Sequence, residues 1–304
     1  MPENVLNNTT NDKFIPTIIA QKCIQRLGAY LSVTKNVSKD NDWVTASVGK
    51  TIQVPVTGAV SANDKVAGSV YTKQNPTATN VSVTLDSYKE VTFAIDDVTR
   101  VLENQDSQMA YANDGAIALS EAVESSLFAL HPSIQNTITW NRSSATTIDA
   151  SLLAVRKFFS DKKVPAMEQR FVAVDPTIYN DLLGTDKYSR YDARGTGESI
   201  TSGSVINTYG LEIRETQLAP VTGSPVAYHN LAYTKNAFIV ASRPLGQPKG
   251  FGGNYAVVND PLTGLSMRVL FWYNADLGAH QLTMELLYGV AIIDQRRVVE
   301  IESF

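Results

Sequence analysis

Gly49, Lys50 and Thr51 spell the end of a phosphate-binding loop, in which backbone N–H groups cradle phosphates at the start of a helix. The first glycine of that motif belongs at position 44, where Val44 stands, and the following residues alternate as a strand does. The run therefore reads as a strand beginning at a turn. Gly250, Gly252 and Gly253 around Phe251 lack the strand before and the helix after that a dinucleotide fold needs, and read as a loop. His131, His229 and His280 are zinc-ligand types, but they stand far apart without HxH or HxxxH spacing, so each reads as a surface or strand-end residue. The single cysteine, Cys23, excludes an intramolecular disulfide and any multi-cysteine metal site. On the apolar side of a helix it reads as a small buried hydrophobe rather than a nucleophile. There is no GxSxG elbow. Asp96 and Asp97 are an acid–base pair by type, but acidic residues at a helix start ordinarily complement its dipole. No catalytic residue, cofactor or metal ligand is assigned.

Composition narrows the partners. The 26 basic and 30 acidic residues among 304 give a net charge of −4 and make only 18% of the chain, against about 25% in ordinary soluble domains. Much of the polar surface must be Ser, Thr, Asn and Gln, which suits contact with other protein. The isoelectric point near 5.5 and the lack of a basic stripe argue against sequence-specific nucleic-acid binding. Arg156, Lys157, Lys162 and Lys163 form a modest patch of the kind that is usually a solvated face. Met1 to Asp12 has no basic segment followed by an apolar core, and the longest strongly apolar run, Leu286 to Ile293, is too short to span a bilayer. The expectation is a soluble, non-secreted chain without a membrane partner. Its length suggests about two domains, or one with large excursions.

The elements that would position any site follow from periodicity. Ile15, Ile18, Ile19, Cys23, Ile24 and Leu27 share one side of a helix over Phe14 to Leu27, with Pro16 tolerated in its first turn. Alternation at Ile52, Val54, Val56, then at Val81, Val83, Leu85, then at Val91, Phe93, Ile95 predicts strands. Residues 57 to 80, with Gly58, Asn63, Asp64, Gly68 and Pro76, have no period, so the first two strands should form a long projecting hairpin that cannot bury its tip. From Asp97 to His131 the stripe Leu102, Gln105, Met109, Ala112, Ala116, Leu119, Val123, Ser126, Leu130 predicts one helix of about 50 Å, a strut lying across a sheet. Seven acidic residues, Asp96, Asp97, Glu103, Asp106, Asp114, Glu121 and Glu124, face Arg100 alone there, a net of −6 between 96 and 131.

Beyond it the chain reads as an α/β module. A helix carries Ile148, Leu152, Val155 and Phe159, a strand covers Phe171 to Val174, and Asp175 caps a helix opened by Pro176 and running to about Leu183. A Gly- and Ser-rich loop follows from Gly184 to Ser204. Strands are expected at Val205 to Thr216 and Val226 to His229, and a short helix near Thr234 to Ala241. The tail is almost wholly β, with strands at Leu265 to Trp272, Leu282 to Tyr288 and Val298 to Ile301, and Gly289 as a break. It should return to pair with the first part.

FIPTIIAQKCIQRL (Phe14 to Leu27), VGKTIQVPVTG (Val48 to Gly58), VTLDSYKEVTFAIDD (Val83 to Asp97), NAFIVASRPL (Asn236 to Leu245) and LLYGVAIIDQRRVVEI (Leu286 to Ile301), in this order and spacing, resemble the major capsid protein of tailed double-stranded DNA bacteriophages. The resemblance implies an α+β Johnson fold. It divides the chain into an N-terminal arm (1–47), an extended E-loop (48–95), a spine helix with the first part of the peripheral domain (96–145), an axial domain (146–250) and returning peripheral strands (251–304). It implies a non-enzymatic subunit that assembles through hexamers and pentamers into an icosahedral head, located in the virion and assembled in the host bacterial cytoplasm. The implied partners are copies of the chain, a separate scaffolding protein because the chain starts almost at the arm, a portal protein, and packaged double-stranded DNA without sequence-specific contact.

Asn63, Asp64, Lys65 and Lys73 of the E-loop, and Arg190 and Arg194 of the axial loop, would then touch neighbouring subunits. The arm would do so too, and Glu103, Asp106, Glu121 and Glu124 would face the DNA. Some relatives join an E-loop lysine to a neighbour's asparagine, for which Lys65, Lys73 and Asn274 are available types. With no carboxylate and apolar pocket singled out, these lysines read as solvated. Two alternatives stay open: an encapsulin-type compartment shell, and an α/β enzyme with its site in 146–250.

Overall fold

The computed structural model describes residues 14–39, 50–96 apart from 59 and 77, 106–189, 203, 205, 207–260 apart from 251, and 263–304. Helix α1 (Phe14–Tyr30) buries Ile19, Ala20, Cys23, Ile24 and Leu27 and exposes Gln21, Lys22, Gln25 and Arg26, the stripe its period dictates. Strand β1 (Ser38–Lys39) follows. The expected arm is thus, over 14–39, part of this chain's own core, because its apolar stripe has a partner within the same chain: α1 packs against α2 (Asp106–Phe128) and against β11 (Asn254–Asn259).

Strands β2 (Thr51–Thr57) and β3 (Ala78–Thr84) pair antiparallel as a two-stranded hairpin, in register Thr51 to Thr84. At its root Ile52, Val83 and Leu85 are buried against Ile239 and Ala241. Strand β4 (Ser87–Asp96) then enters the first large sheet by pairing with β13 (Ala279–Ile292), Ser87 opposite Tyr288 and Asp96 opposite Ala279. Here the tail does return to the first part of the chain. Asp96 ends a strand instead of starting a helix. The other flank of β13 carries β12 (Ser266–Asn274), which pairs with β11.

Helix α2 crosses this sheet. Ala112, Ala116, Leu119 and Val123 are fully or almost fully buried. At Gly115 a Cβ would run into the side chains of Met284, Phe93 and Val91. The small residues of the stripe thus let the helix backbone lie close on β4 and β13. The described helix has 23 residues, about 35 Å at 1.5 Å per residue, and ends at Phe128 before a 3-10 turn at His131–Ser133. It ends short of the expected His131, where the Leu130 N–H turns to the Leu127 carbonyl in a 3-10 bond. Residues 97–105 lie outside the described residues.

The second sheet has the order β5 (Thr137–Trp140), β14 (Val298–Ser303), β9 (Ala227–Thr234), β6 (Arg170–Val174), β7 (Leu211–Glu215), with β8 (Val221–Thr222) beside β9. Strand β6 is buried on both faces. Phe171 and Ala173 face the core shared with α1 and α2, while Val172 and Val174 face α3 (Ala145–Asp161) and α4 (Pro176–Leu183). A strand covered on both sides needs the unbroken apolar run RFVAV rather than alternation. Helix α4 starts as the sequence predicts, with Asp175 Oδ1 accepting the Thr177 N–H at 2.8 Å before Pro176, while α3 opens on a capping box of Ser144 and Thr147 that the sequence reading did not single out.

Two expectations are corrected. The short helix near Thr234 to Ala241 is strand β10 (Phe238–Ser242), five buried residues between β1 and β13. A brief apolar run satisfies either period, and the open flank of β13 decides in favour of the strand. Gly289 does not break β13. It pairs with Ala241 inside the ladder, and a Cβ there would collide with the Thr84 carbonyl, so glycine marks where another backbone passes. The sheets also cross the divisions drawn on the sequence, since β10 belongs with the tail strands and β14 with β5, β9 and β6. Among the described residues no helix is long and apolar enough to cross a membrane.

Candidate assembly surfaces

The hairpin tip is the least self-buried part of the described chain. Val60, Val66, Val70 and Tyr71 are 68%, 70%, 90% and 80% exposed. Asn63, Asp64, Lys65 and Lys73 are exposed beside them. The tip still has internal order. Ser69 donates to the Val66 carbonyl through both N–H and hydroxyl around Gly68, whose φ of +83° suits glycine. The Ser61 N–H donates to Gln74 Oε1 at 3.0 Å, and Lys65 Nζ bonds Ser69 and lies 4.7 Å over the Tyr71 ring. Four large apolar side chains are therefore presented, largely exposed, on a locally braced loop. Lys65 is engaged within the tip, and Asn274 Oδ1 accepts the Asp276 N–H at 3.0 Å.

A second surface lies where the Gly-rich loop begins and ends. Asp149 on α3 accepts hydrogen bonds from Tyr188, Tyr209 (2.6 Å) and Lys187 (2.8 Å). Burial alone would raise the Asp149 carboxyl, but these three donors outweigh it and hold it below its ordinary value. Tyr179 Oη accepts the Val205 N–H at 2.7 Å. The two ends of the loop are thus pinned to the helices beneath it. Arg190 and Arg194 lie outside the described residues.

The acidic helix is divided by its packing. Glu121 and Asp114 are exposed, but Glu124 is 3% exposed and turned inward. Its Oε1 accepts the Val33 N–H at 2.7 Å and the Thr34 N–H at 3.4 Å, and its Oε2 accepts the Ser32 hydroxyl at 3.0 Å. Burial raises its pKa above the ordinary carboxylate value, partly offset by these hydrogen bonds. Glu124 is therefore not a DNA-facing residue: a backbone segment with unmet donors, 32 to 34, claims its carboxylate. Glu103 lies outside the described residues, and Asp106 opens the described helix.

Two of the three histidines, expected to stand apart, come together. His131 and His229 stack with ring centroids 4.2 Å apart, and both Nδ1 atoms meet Glu300 Oε1, at 3.1 Å and 2.6 Å. Their partner lies 169 and 71 residues away in sequence. No local spacing carries such a signal; the β9–β14 pairing and the turn after α2 create it. His280 packs on Phe271 and Tyr273. Cys23 is buried as expected, with its thiol pushed up to about 11 by desolvation.

Neither a protein-family model nor a curated protein sequence matches the chain. Solved structures do. A chain from Mycobacterium phage Che8 aligns over 89% of this chain and 90% of its own length, with a TM-score of 0.65 at 19% identity. The capsid structure of the cyanophage P-SCSP1u aligns over 84% of both chains, with 0.63 at 14% identity. The virus-like particle from Pyrococcus furiosus covers 94% of this chain and 99% of its own, with 0.53 at 10% identity. At these identities the likeness is one of architecture, and the chain has the α+β Johnson fold of the phage capsids.

Proposed function

We propose that this chain is a structural subunit that self-assembles through hexamers and pentamers into an icosahedral phage head enclosing double-stranded DNA. The observation that carries the reading is the hairpin tip. Four large apolar side chains stand on a braced loop at the end of a two-stranded ribbon, exposed at a cost that contact with another subunit would remove. Closed symmetry multiplies such weak contacts over many copies.

The pinned ends of the 184–204 loop supply a second contact surface, with Arg190 and Arg194 as its charged members. Asn63, Asp64, Lys65 and Lys73 would border the first. Of the acidic residues between 96 and 131, Glu103, Asp106 and Glu121 would line the interior toward DNA. A separate scaffolding protein and a portal protein are the other partners, and no membrane is involved. The phage head is preferred to an encapsulin-type compartment because the P-SCSP1u capsid aligns more closely than the archaeal virus-like particle.

Purified chain, with and without a scaffolding partner, is examined by analytical ultracentrifugation and negative-stain microscopy. Closed shells support the reading. Monomer or dimer under every assembly condition, with turnover on a substrate panel, points instead to an enzyme with its site in 146–250.

A further inference from the structure

We propose that His131, His229 and Glu300 form a zinc site, with the two imidazole Nδ1 atoms and Glu300 Oε1 as ligands and a fourth position open to water. Ligand atoms of the three residues all lie within 4.8 Å of one another, and the set, two histidines and one carboxylate, is one that zinc takes with an open position. At zinc bond lengths the edge of a tetrahedron is about 3.3 Å. His131 Nδ1 is already 3.1 Å from Oε1, His229 Nδ1, at 2.6 Å, must move by about 0.7 Å, and the rings, stacked with their planes 28° apart, must turn so that both in-plane lone pairs aim at one ion.

The surroundings are those of a held ligand set. His229 Nε2 lies 2.6 Å from Thr222 Oγ1, so an Nε2–H can donate to the hydroxyl while Nδ1 faces the metal. Thr137 donates to the other carboxylate oxygen, Glu300 Oε2, at 3.4 Å. Charge points the same way. Glu300 is buried, and among the described residues its ion-pair partners are these two histidines. His131 follows α2, His229 lies on β9 and Glu300 on β14, so the ion would fasten the end of the long helix to the second sheet.

The test is independent of assembly. Full-length chain is stripped with a chelator, incubated with zinc chloride, dialysed, and analysed for bound metal and thermal stability. The expected result is about one zinc retained per chain and a midpoint raised by zinc. Both effects should be lost in His131→Gln, a change at a half-buried residue of an irregular turn. Cobalt(II) in place of zinc reads the ligand set without any variant, and tetrahedral-type visible bands are expected. The proposal is overturned if folded wild type keeps no more zinc than folded His131→Gln. An unchanged aqueous cobalt spectrum overturns it equally, and the three residues are then a hydrogen-bonded cluster only.

Discussion

The Glu124 carboxylate, near the end of α2, accepts the backbone N–H of Val33 at 2.7 Å across 91 residues of sequence. This bond ties the segment after α1 to the long helix at a point closed to solvent. Glu124→Ala strands the Val33 donor and should cost about 1–3 kcal/mol in urea unfolding. Glu124→Gln keeps an acceptor there and should cost less.

The same residue makes a pH prediction. Burial raises the Glu124 carboxyl above its ordinary 4.5, so the folded chain keeps a proton that the unfolded chain has released. Its contribution to stability is complete below 4.5 and falls as pH rises through the folded value. Glu124→Gln does not titrate. Its deficit relative to wild type should shrink as pH rises toward about 7, measured by paired denaturation curves; a deficit that grows instead refutes the assignment.

Asp149 has the opposite sign. Held below its ordinary 3.8, it contributes stability that is present above 3.8 and lost as pH falls through the folded value. Asp149→Asn should destabilise the chain by about 1–3 kcal/mol at neutral pH and flatten the acid limb below 3.8. If the loop it anchors forms a subunit contact, capsomer yield in sedimentation should fall as well.

The two close-packed glycines should respond differently. A Cβ at Gly115 first meets the flexible end of Met284, and alanine gains helix propensity, so Gly115→Ala should change stability by less than about 1 kcal/mol. At Gly289 the obstacle is the Thr84 backbone, which cannot rotate away. Gly289→Ala should cost about 1–3 kcal/mol and shift the hairpin root, read by thermal melting of both variants.

Replacing Val66, Val70 and Tyr71 with Ser removes apolar surface that the chain does not bury. The melting of the isolated chain should move by no more than about 0.5 kcal/mol, while shells disappear from negative-stain fields. A variant that loses its folded circular dichroism signal shows that the tip belongs to a core.

For the acidic face, Glu103→Gln, Asp106→Asn and Glu121→Gln together should leave empty-shell assembly intact. They should increase the DNA kept by opened shells at low salt, an effect reaching only about 8 Å at physiological ionic strength. Equal retention at low salt would reduce the charge bias to ordinary solvation. Glu124 is omitted because it is buried.

Periodicity alone determined most of the elements. The stripe of α1, the alternation of β2, β3 and β4, the capped start of α4 and the aperiodic tip are properties of neighbouring residues, and the backbone reads them locally. The order of these parts carried the resemblance to the fold. Tertiary structure decided what depends on residues distant in sequence. Val33 turned Glu124 from an exposed acid into a buried acceptor, the open flank of β13 made a strand of Phe238–Ser242, and the Thr84 backbone explains Gly289. The meeting of His131 and His229 on Glu300 was decided in the same way. Hydrogen bonding and desolvation act through space over a few ångströms, so the character of a carboxylate or an imidazole is set by whatever the fold brings beside it, and no spacing along the chain records that.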